Sequence, residues 1–337
     1  MKKILKKFLI ALVVLLVIFA LWFAYEFNYS KQGKKRTVVF EVKEGSSVKS
    51  IARSLEEWDL IKNRHIFLLG FRLFFPSNNL RAGEYSLELP LSSHEILKLL
   101  IEGKVILYPI TIPEGLTRLE MAGHVQSEYA IAKDAFLEAS GDPRPILSLD
   151  SKALNLEGYL FPETYHFPKN TTARFMVTAM VDQFSSVFDH DWRQRAKNLG
   201  FTIREIVILA SLIEEETSLP EERNLVSATF HNRLRIGMKL DCDPTIIYAL
   251  KLDNAYTGRL RYRDLKLDSP YNTYIYPGLP PGPICNPGKA SIQAALYPAD
   301  EDFLYFVSKN DGSHKFSRTF KEHQTAVNIY QKRDRNR

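Results

Sequence analysis

The pattern of apolar and polar positions changes character several times along the chain. Lys2, Lys3, Lys6 and Lys7 precede an unbroken apolar run from Phe8 to Tyr25. At about 1.5 Å per residue, such a run nearly spans a hydrocarbon core. A cleaved signal peptide has a shorter apolar core and a small-x-small exit. Here the exit is LWFAYEFNYS, whose Trp22, Phe23 and Tyr25 suit a membrane interface. The pattern therefore predicts an uncleaved anchor: residues 1–7 a cytoplasmic tail, 8–25 the transmembrane helix, 26–36 a polar linker. Lys31, Lys34, Lys35 and Arg36 nearly balance the lysines before the span, so charge alone does not orient it. The short N-terminal tail and a large C-terminal domain, which translocates largely regardless of charge, place the bulk outside the cytoplasm.

After the linker the period shortens. Alternating Val38, Phe40 and Val42 predict a strand, EGSS a turn and cap, and Val48, Ile51, Ala52 and Leu55 one face of a helix. A second helix is expected over Arg64 to Phe74 and a strand at AGEYSLEL, followed by a helix opened by a Ser92–Glu95 capping box. Residues 37–104 thus form a small α+β subdomain. Its strand, two helices, strand order resembles a LysM-like module, which implies glycan contact. A spacer packed on the main domain is the alternative.

From residue 105 to 330 the pattern is mainly helical, with a polar tail at 331–337. Thr117–Glu120 makes another capping box, a helix is expected over about Ala130 to Ser140, and another runs from Thr172 to about Phe188. Between them LEGYLFPETYHFPKNTT has no period; its aromatics, its prolines and the acid Glu163 suggest an ordered loop lining a site.

The stretch SLIEEETSLPEERN is chemically the most pointed. Thr202 and Glu205 cap a helix whose residues Ile206 to Ile213 are all apolar or small, as in a core helix. That helix ends before Pro220, and Ser218 with Glu221 has the form of the next capping box. Glu214, Glu215 and Glu216 therefore fall in a final turn, where the helix dipole disfavours carboxylates by roughly 0.3–1 kcal/mol each. Adjacent helical residues point about 100° apart, so at least one faces the core or a cleft. Burial, dipole and like charge all favour its protonated form, which a general acid needs near neutral pH. Glu216 shares the face of Leu209, Leu212 and Ile213; Glu214 follows smaller residues and is the fallback. A solvated helix end, with a glutamate paired to Arg223 or Arg204, fits the same pattern.

Composition adds limits. With 337 residues, 45% hydrophobic and 25% charged, the chain has room for about two ordinary globular domains. A net charge of +6 suits an anionic partner such as a wall polymer or lipid headgroups. The two cysteines, Cys242 and Cys285, are equally compatible with one disulfide or two buried thiols, and the eight histidines form no metal-ligand spacing, so no metal or cofactor is expected.

ASLIEEETSLPEERNLVSATFHNRLRIGMKLDCDPTIIYAL, together with LEGYLFPETY, SPYNTYIYPGLPPGPICNPG and LYFVSKNDGSHKFSRTFKEH, resembles the YceG-like (MltG) endolytic murein transglycosylases along essentially the whole chain. The resemblance implies an α+β protein: one N-terminal membrane helix, a LysM-like subdomain, and a larger, mainly helical catalytic domain with a lysozyme-like glutamate site. It puts the catalytic acid on the second glutamate of the E-x-E-T pattern, Glu216. Glu215 stands where the family often has lysine, and its charge is expected to raise the acid's pKa further. The implied reaction cuts the MurNAc–GlcNAc bond within nascent glycan strands and leaves 1,6-anhydro ends. The implied partners are peptidoglycan strands and membrane-bound synthases. Asn232, Asp243, Thr245, Tyr271, Asn272, Thr273 and Glu163 are candidate substrate-binding residues, while His314 and His323 read as structural or surface groups. Hydrolysis using a second acid, Glu163 or Asp243, and a non-catalytic wall-binding or synthase-docking protein remain the alternatives.

Overall fold

A computed structural model describes residues 2–30 and 33–331; most of the polar tail at 331–337 and part of the linker lie outside them. The chain is a mixed α+β protein, mostly helical, with three small two-stranded sheets among the described residues. The chain divides into two compact units, Met1–Pro109 with His166–Thr171, and Ile110–Tyr165 with Thr172–Arg337.

In the first unit, α1 (Lys2–Asn28) is one apolar helix long enough to cross a membrane. It extends beyond Tyr25 because its last turns have a surface to pack on. Phe23 and Phe27 are buried, and Phe27 stacks on Phe74 and His94 at 5.6 and 5.3 Å. The fit requires Gly70, since a Cβ there would lie 2.1 Å from the Phe27 ring. The helix thus continues into the stretch expected to be linker.

β1 (Arg36–Val42), α2 (Val48–Glu57), α3 (Arg64–Phe74), β2 (Gly83–Leu89) and α4 (Ser93–Glu102) follow. β1 and β2 are antiparallel with Phe40 opposite Tyr85, and alternation buries Phe40, Val42, Tyr85 and Leu87 on one face. Leu55, Phe67, Ile96 and Leu100 close the core beneath them. The helix starts are fixed locally: Ser47 and Asn63 accept backbone N–H groups, and Ser92 with Glu95 forms a capping box.

The second unit is built around a buried helix. β3 (Leu107–Thr111), of which Ile110 and Thr111 belong to this unit, leads to α5 (Arg118–Tyr129) and α6 (Lys133–Gly141), and β4 (Thr164–Pro168), of which Thr164 and Tyr165 belong to it, pairs with β3. The helix expected over Ala130 to Ser140 begins late. Ala130, at φ 54°, closes α5 in the left-handed region with its N–H donating to the Gln126 carbonyl, and the chain restarts at Lys133. Then come α7 (Ala173–Val187), α8 (His190–Asn198), α9 (Ile203–Glu216), α10 (Pro220–Arg235), α11 (Asp243–Leu252), α12 (Lys289–Leu296), β5 (Tyr305–Ser308), β6 (His314–Ser317) and α13 (Phe320–Tyr330).

Every residue of α9 from Ile206 to Ile213 is buried, and α8, α10, α11 and α12 pack against it. This is the packing its all-round apolar surface demands. The start of α10 differs from the expected Ser218–Glu221 box. Its N-cap is Leu219, without a side-chain bond, and Pro220 supplies the first helical residue. A proline there lacks the N–H that a cap would satisfy and arrives with φ already set. Thr217 Oγ1 accepts the Leu219 N–H at 3.2 Å instead.

Candidate active site

The three glutamates that end α9 point to three environments. Glu214 accepts the N–H of Gly288, the N-cap of α12, at 2.8 Å, where its charge suits the helix N-terminus. Glu114 crowds the same glycine: a Cβ on Gly288 would lie 1.8 Å from Glu114 Oε1. The Glu114 carboxyl is raised by burial and by the Glu214 charge, against Arg223. Glu215 is exposed, with its pKa raised by the surrounding protein and by Glu120 and Glu214, and lowered by Lys251 and a hydrogen bond to Cys285.

Glu216 turns elsewhere. It is half-buried, and desolvation dominates its titration, pushing its pKa up to about 7. The nearby Asp243 charge adds to the rise, while a hydrogen bond with the Cys242 thiol and the charges of His314 and Arg233 oppose it. Asp243 is the like charge that most raises this carboxyl. A carboxyl with pKa near 7 on a half-buried residue can donate a proton at neutral pH and take one back.

Its surroundings are held by backbone bonds. Cys242, buried with its thiol raised well above the usual range by burial and by Glu216, ends the loop before α11. Its N–H donates to Thr273 Oγ1 at 3.0 Å, and Thr245 donates to its carbonyl at 2.6 Å. Cys285 is buried and, like Cys242, a free thiol. Asp243 opens α11, where a carboxylate suits the dipole, and accepts the Tyr274 hydroxyl at 2.7 Å. Arg233 is 7% exposed, donates to the carbonyls of Leu304 and Leu240 at 2.6 Å each, and lies 5.6 Å from the Tyr305 ring centre.

Of the other residues singled out in the sequence, Asn272, Thr273 and Thr245 are fully buried and shape the site from behind. Asn272 donates to Leu265 and Leu267 carbonyls and accepts the Tyr274 N–H; Thr273 and Thr245 bond to each other at 3.0 Å. Asn232 donates to the carbonyls of Glu301 and Phe303 and accepts from Arg235, so its amide holds a loop rather than facing Glu216. Tyr271 packs on Tyr248 at 5.0 Å. Glu163 is exposed at the head of β4 and accepts the N–H of Thr164. Arg204 pairs with Asp150 at 2.6 Å, and Glu222 with His314 at 2.7 Å, rather than with the glutamates of α9 or the arginines of α10.

One acid escaped the sequence reading. Glu157, 6% exposed, lies in the loop assigned above to Glu163. Burial pushes its pKa up to about 7, against hydrogen bonds from the Arg118 N–H, Tyr248 and Asn286. The signal was present: Glu157 is a lone charge in a run whose neighbours Leu156, Tyr159, Leu160 and Phe161 are all buried. A cavity of about 1200 Å³ between Asp150, Arg204, Asn232 and the Pro277–Pro281 segment does not include Glu216. Its Arg204, Asn232 and His231 are already bonded to neighbours. Among the described residues no group of His, Cys, Asp and Glu is arranged to hold a metal.

The model of the YceG-like family matches residues 40–329. An endolytic murein transglycosylase of Bacillus subtilis strain 168 is 33% identical over 312 residues, 88% of this chain and 85% of that protein. An endolytic murein transglycosylase of Streptococcus pneumoniae D39 is 31% identical over 325 residues; the match takes in 87% of this chain and 58% of that longer protein. A crystal structure of a YceG-like protein from Listeria monocytogenes superposes with a TM-score of 0.59 at 33% identity, covering 86% of this chain and 98% of that one. The helix that ends in three divergent glutamates, and the chain around it, therefore belong to the YceG-like family.

Proposed function

We propose that this protein is a membrane-anchored peptidoglycan lytic transglycosylase in which Glu216 is the acid, acting endolytically on nascent glycan strands beside membrane-bound synthases. The observation that carries the reading is Glu216 itself: a half-buried glutamate with a pKa near 7, at the second glutamate of the E-x-E-T pattern, in a chain whose relatives are named endolytic murein transglycosylases. α1 is the anchor, the mass of the chain lies outside the cytoplasm, and the small unit, with its LysM-like element order, contacts glycan.

The chemistry needs one titrating residue. Protonated Glu216 donates to the oxygen joining N-acetylmuramic acid to N-acetylglucosamine, and the C1–O bond breaks with oxocarbenium character. The resulting carboxylate then accepts the proton of the muramoyl C6 hydroxyl as O6 closes on C1, which yields the 1,6-anhydro end and restores the acid. Arg233 and the Cys242 thiol favour the anion that exists between the two transfers; Asp243 and desolvation favour the acid at the start.

A second reading rests on Asp243. A carboxylate near enough to act on Glu216 could activate water, as in two-carboxylate glycosidases, and give hydrolysed ends. One experiment separates the readings. Glycan strands are digested with wild type and Glu216→Gln, and the new ends are weighed. Ends one water lighter support transglycosylation and unshifted ends support hydrolysis; Glu216→Gln cutting at the wild-type rate removes the acid role altogether.

A further inference from the structure

Buried Glu222 and half-buried His314 form a unit that the proposed chemistry leaves unused. Glu222, 7% exposed in the first turn of α10, receives two donors from one residue: the His314 N–H at 2.8 Å and His314 Nδ1 at 2.7 Å. It also accepts the hydroxyl of Thr217, the residue after Glu216, at 3.4 Å. With the carboxylate as acceptor, the ring proton lies on Nδ1. The ring is held edge-on against Phe306 and Phe316, at 5.5 and 6.4 Å, so it has little freedom to turn. Among the described residues His314 Nε2 makes no hydrogen bond, although the side chain is only 13% exposed.

A carboxylate that fixes one ring nitrogen while the other stays open is the arrangement by which proteins present a histidine to something else. Glu222 ties it to Thr217, so it stands beside the end of α9, close enough to Glu216 to act on it. We propose that His314 Nε2 is a glycan-contacting group, accepting a hydrogen bond from a hydroxyl or the acetamido N–H of the sugar flanking the bond to be cut, and that Glu222 is its positioning residue. The inference rests on Glu216 marking the site of cleavage.

Asparagine and glutamine divide the imidazole between them: the Asn amide reaches where Nδ1 was, and the Gln amide reaches where Nε2 was. His314→Asn therefore keeps a donor for Glu222 and removes the glycan contact. The expected result, with purified full-length protein and soluble glycan strands, is a KM raised about tenfold, kcat within about threefold of wild type and an unchanged melting temperature. That rise corresponds to roughly 1.4 kcal/mol of binding. His314→Asn with wild-type KM overturns the proposal, because a purely structural histidine is satisfied by the Glu222 bond alone. If His314→Asn does not fold, His314→Gln carries the test: it is expected to bind glycan at least threefold more tightly than His314→Ala, and equal KM values for the two overturn the proposal. Glu216→Gln measured in parallel separates the two failures. An active Glu216→Gln removes the underlying reading, whereas an inactive one beside a normal His314→Asn removes only this one.

Discussion

Glu157 and Glu216 are two glutamates of the same unit, both raised to about 7 by burial, yet their surroundings prepare them for different work. At Glu157 both oxygens are occupied. Oε1 accepts from the Arg118 N–H at 2.8 Å and from Asn286 at 2.9 Å, and Oε2 accepts the Tyr248 hydroxyl at 3.2 Å. It is nearly sealed from solvent and ties three chain segments together. At Glu216 the neighbours are a thiol and charges of both signs, and the residue as a whole is half-buried rather than sealed. A raised pKa follows from desolvation in either place. What marks an acid for chemistry is the combination of that shift with accessibility and hydrogen-bonding capacity left for a substrate.

The sharpest way to break the comparison is to neutralise each acid in turn. Glu216→Gln is expected to lower glycan cleavage by about 10²–10⁴-fold, the range for removing a general acid, with an unchanged melting temperature. Glu157→Ala is expected to cost about 3 kcal/mol in urea unfolding, because it removes the acceptor of three hydrogen bonds in and around the core. Its cleavage rate per folded molecule should stay within a few-fold of wild type. A Glu157→Ala protein that is stable but inactive would reverse the two assignments.

Their pH dependences sharpen it further. Glu157 has a folded pKa near 7 and an ordinary unfolded value of 4.5, so the folded state holds a proton that the unfolded state has released between those values. Its contribution to stability is complete below about 4.5 and is lost as pH rises to about 7, at up to ~1.4 kcal/mol per unit. Unfolding at pH 5 and pH 8 should show the gap between wild type and Glu157→Gln moving against wild type as pH rises. For cleavage, kcat/KM should fall above pH 7 as Glu216 loses its proton. Asp243→Asn removes a like charge and should move that alkaline limb down by up to about 1 unit. The smallest effect is expected at Glu214→Gln. The amide oxygen still accepts the Gly288 N–H, so activity should stay within about threefold of wild type.

The sequence exposed what depends on neighbours a few residues away. The boxes at Ser92–Glu95, Thr117–Glu120 and Thr202–Glu205 mark real helix starts, and the all-apolar stretch of α9 marks the core helix. The false box at Ser218 shows the limit of such local signals. Serine and glutamate had the right spacing, but proline already met the geometric need. Contacts distant in sequence were not legible. Nothing near Glu222 announces His314 as its partner, 92 residues on, and nothing near Glu157 announces Asn286, 129 residues on. Polar residues on the tyrosine-rich loop look alike in sequence whether they face a sugar or a backbone. Which they face depends on how the loop folds back on itself.

Asn286 carries a consequence for the order in which the protein becomes competent. Its side chain bonds to Leu116, Glu157, Gly158 and Leu160, across separations of 126 to 170 residues. The Glu216 environment likewise draws on Asp243 and, almost at the end of the chain, His314. Such pairings form only after the intervening chain is available. A polypeptide emerging N-terminus first would therefore carry Glu216 well before it carried the groups that set its proton affinity. The surroundings of Glu216 would remain incomplete until residue 314 had been made, a delay set by the order of synthesis.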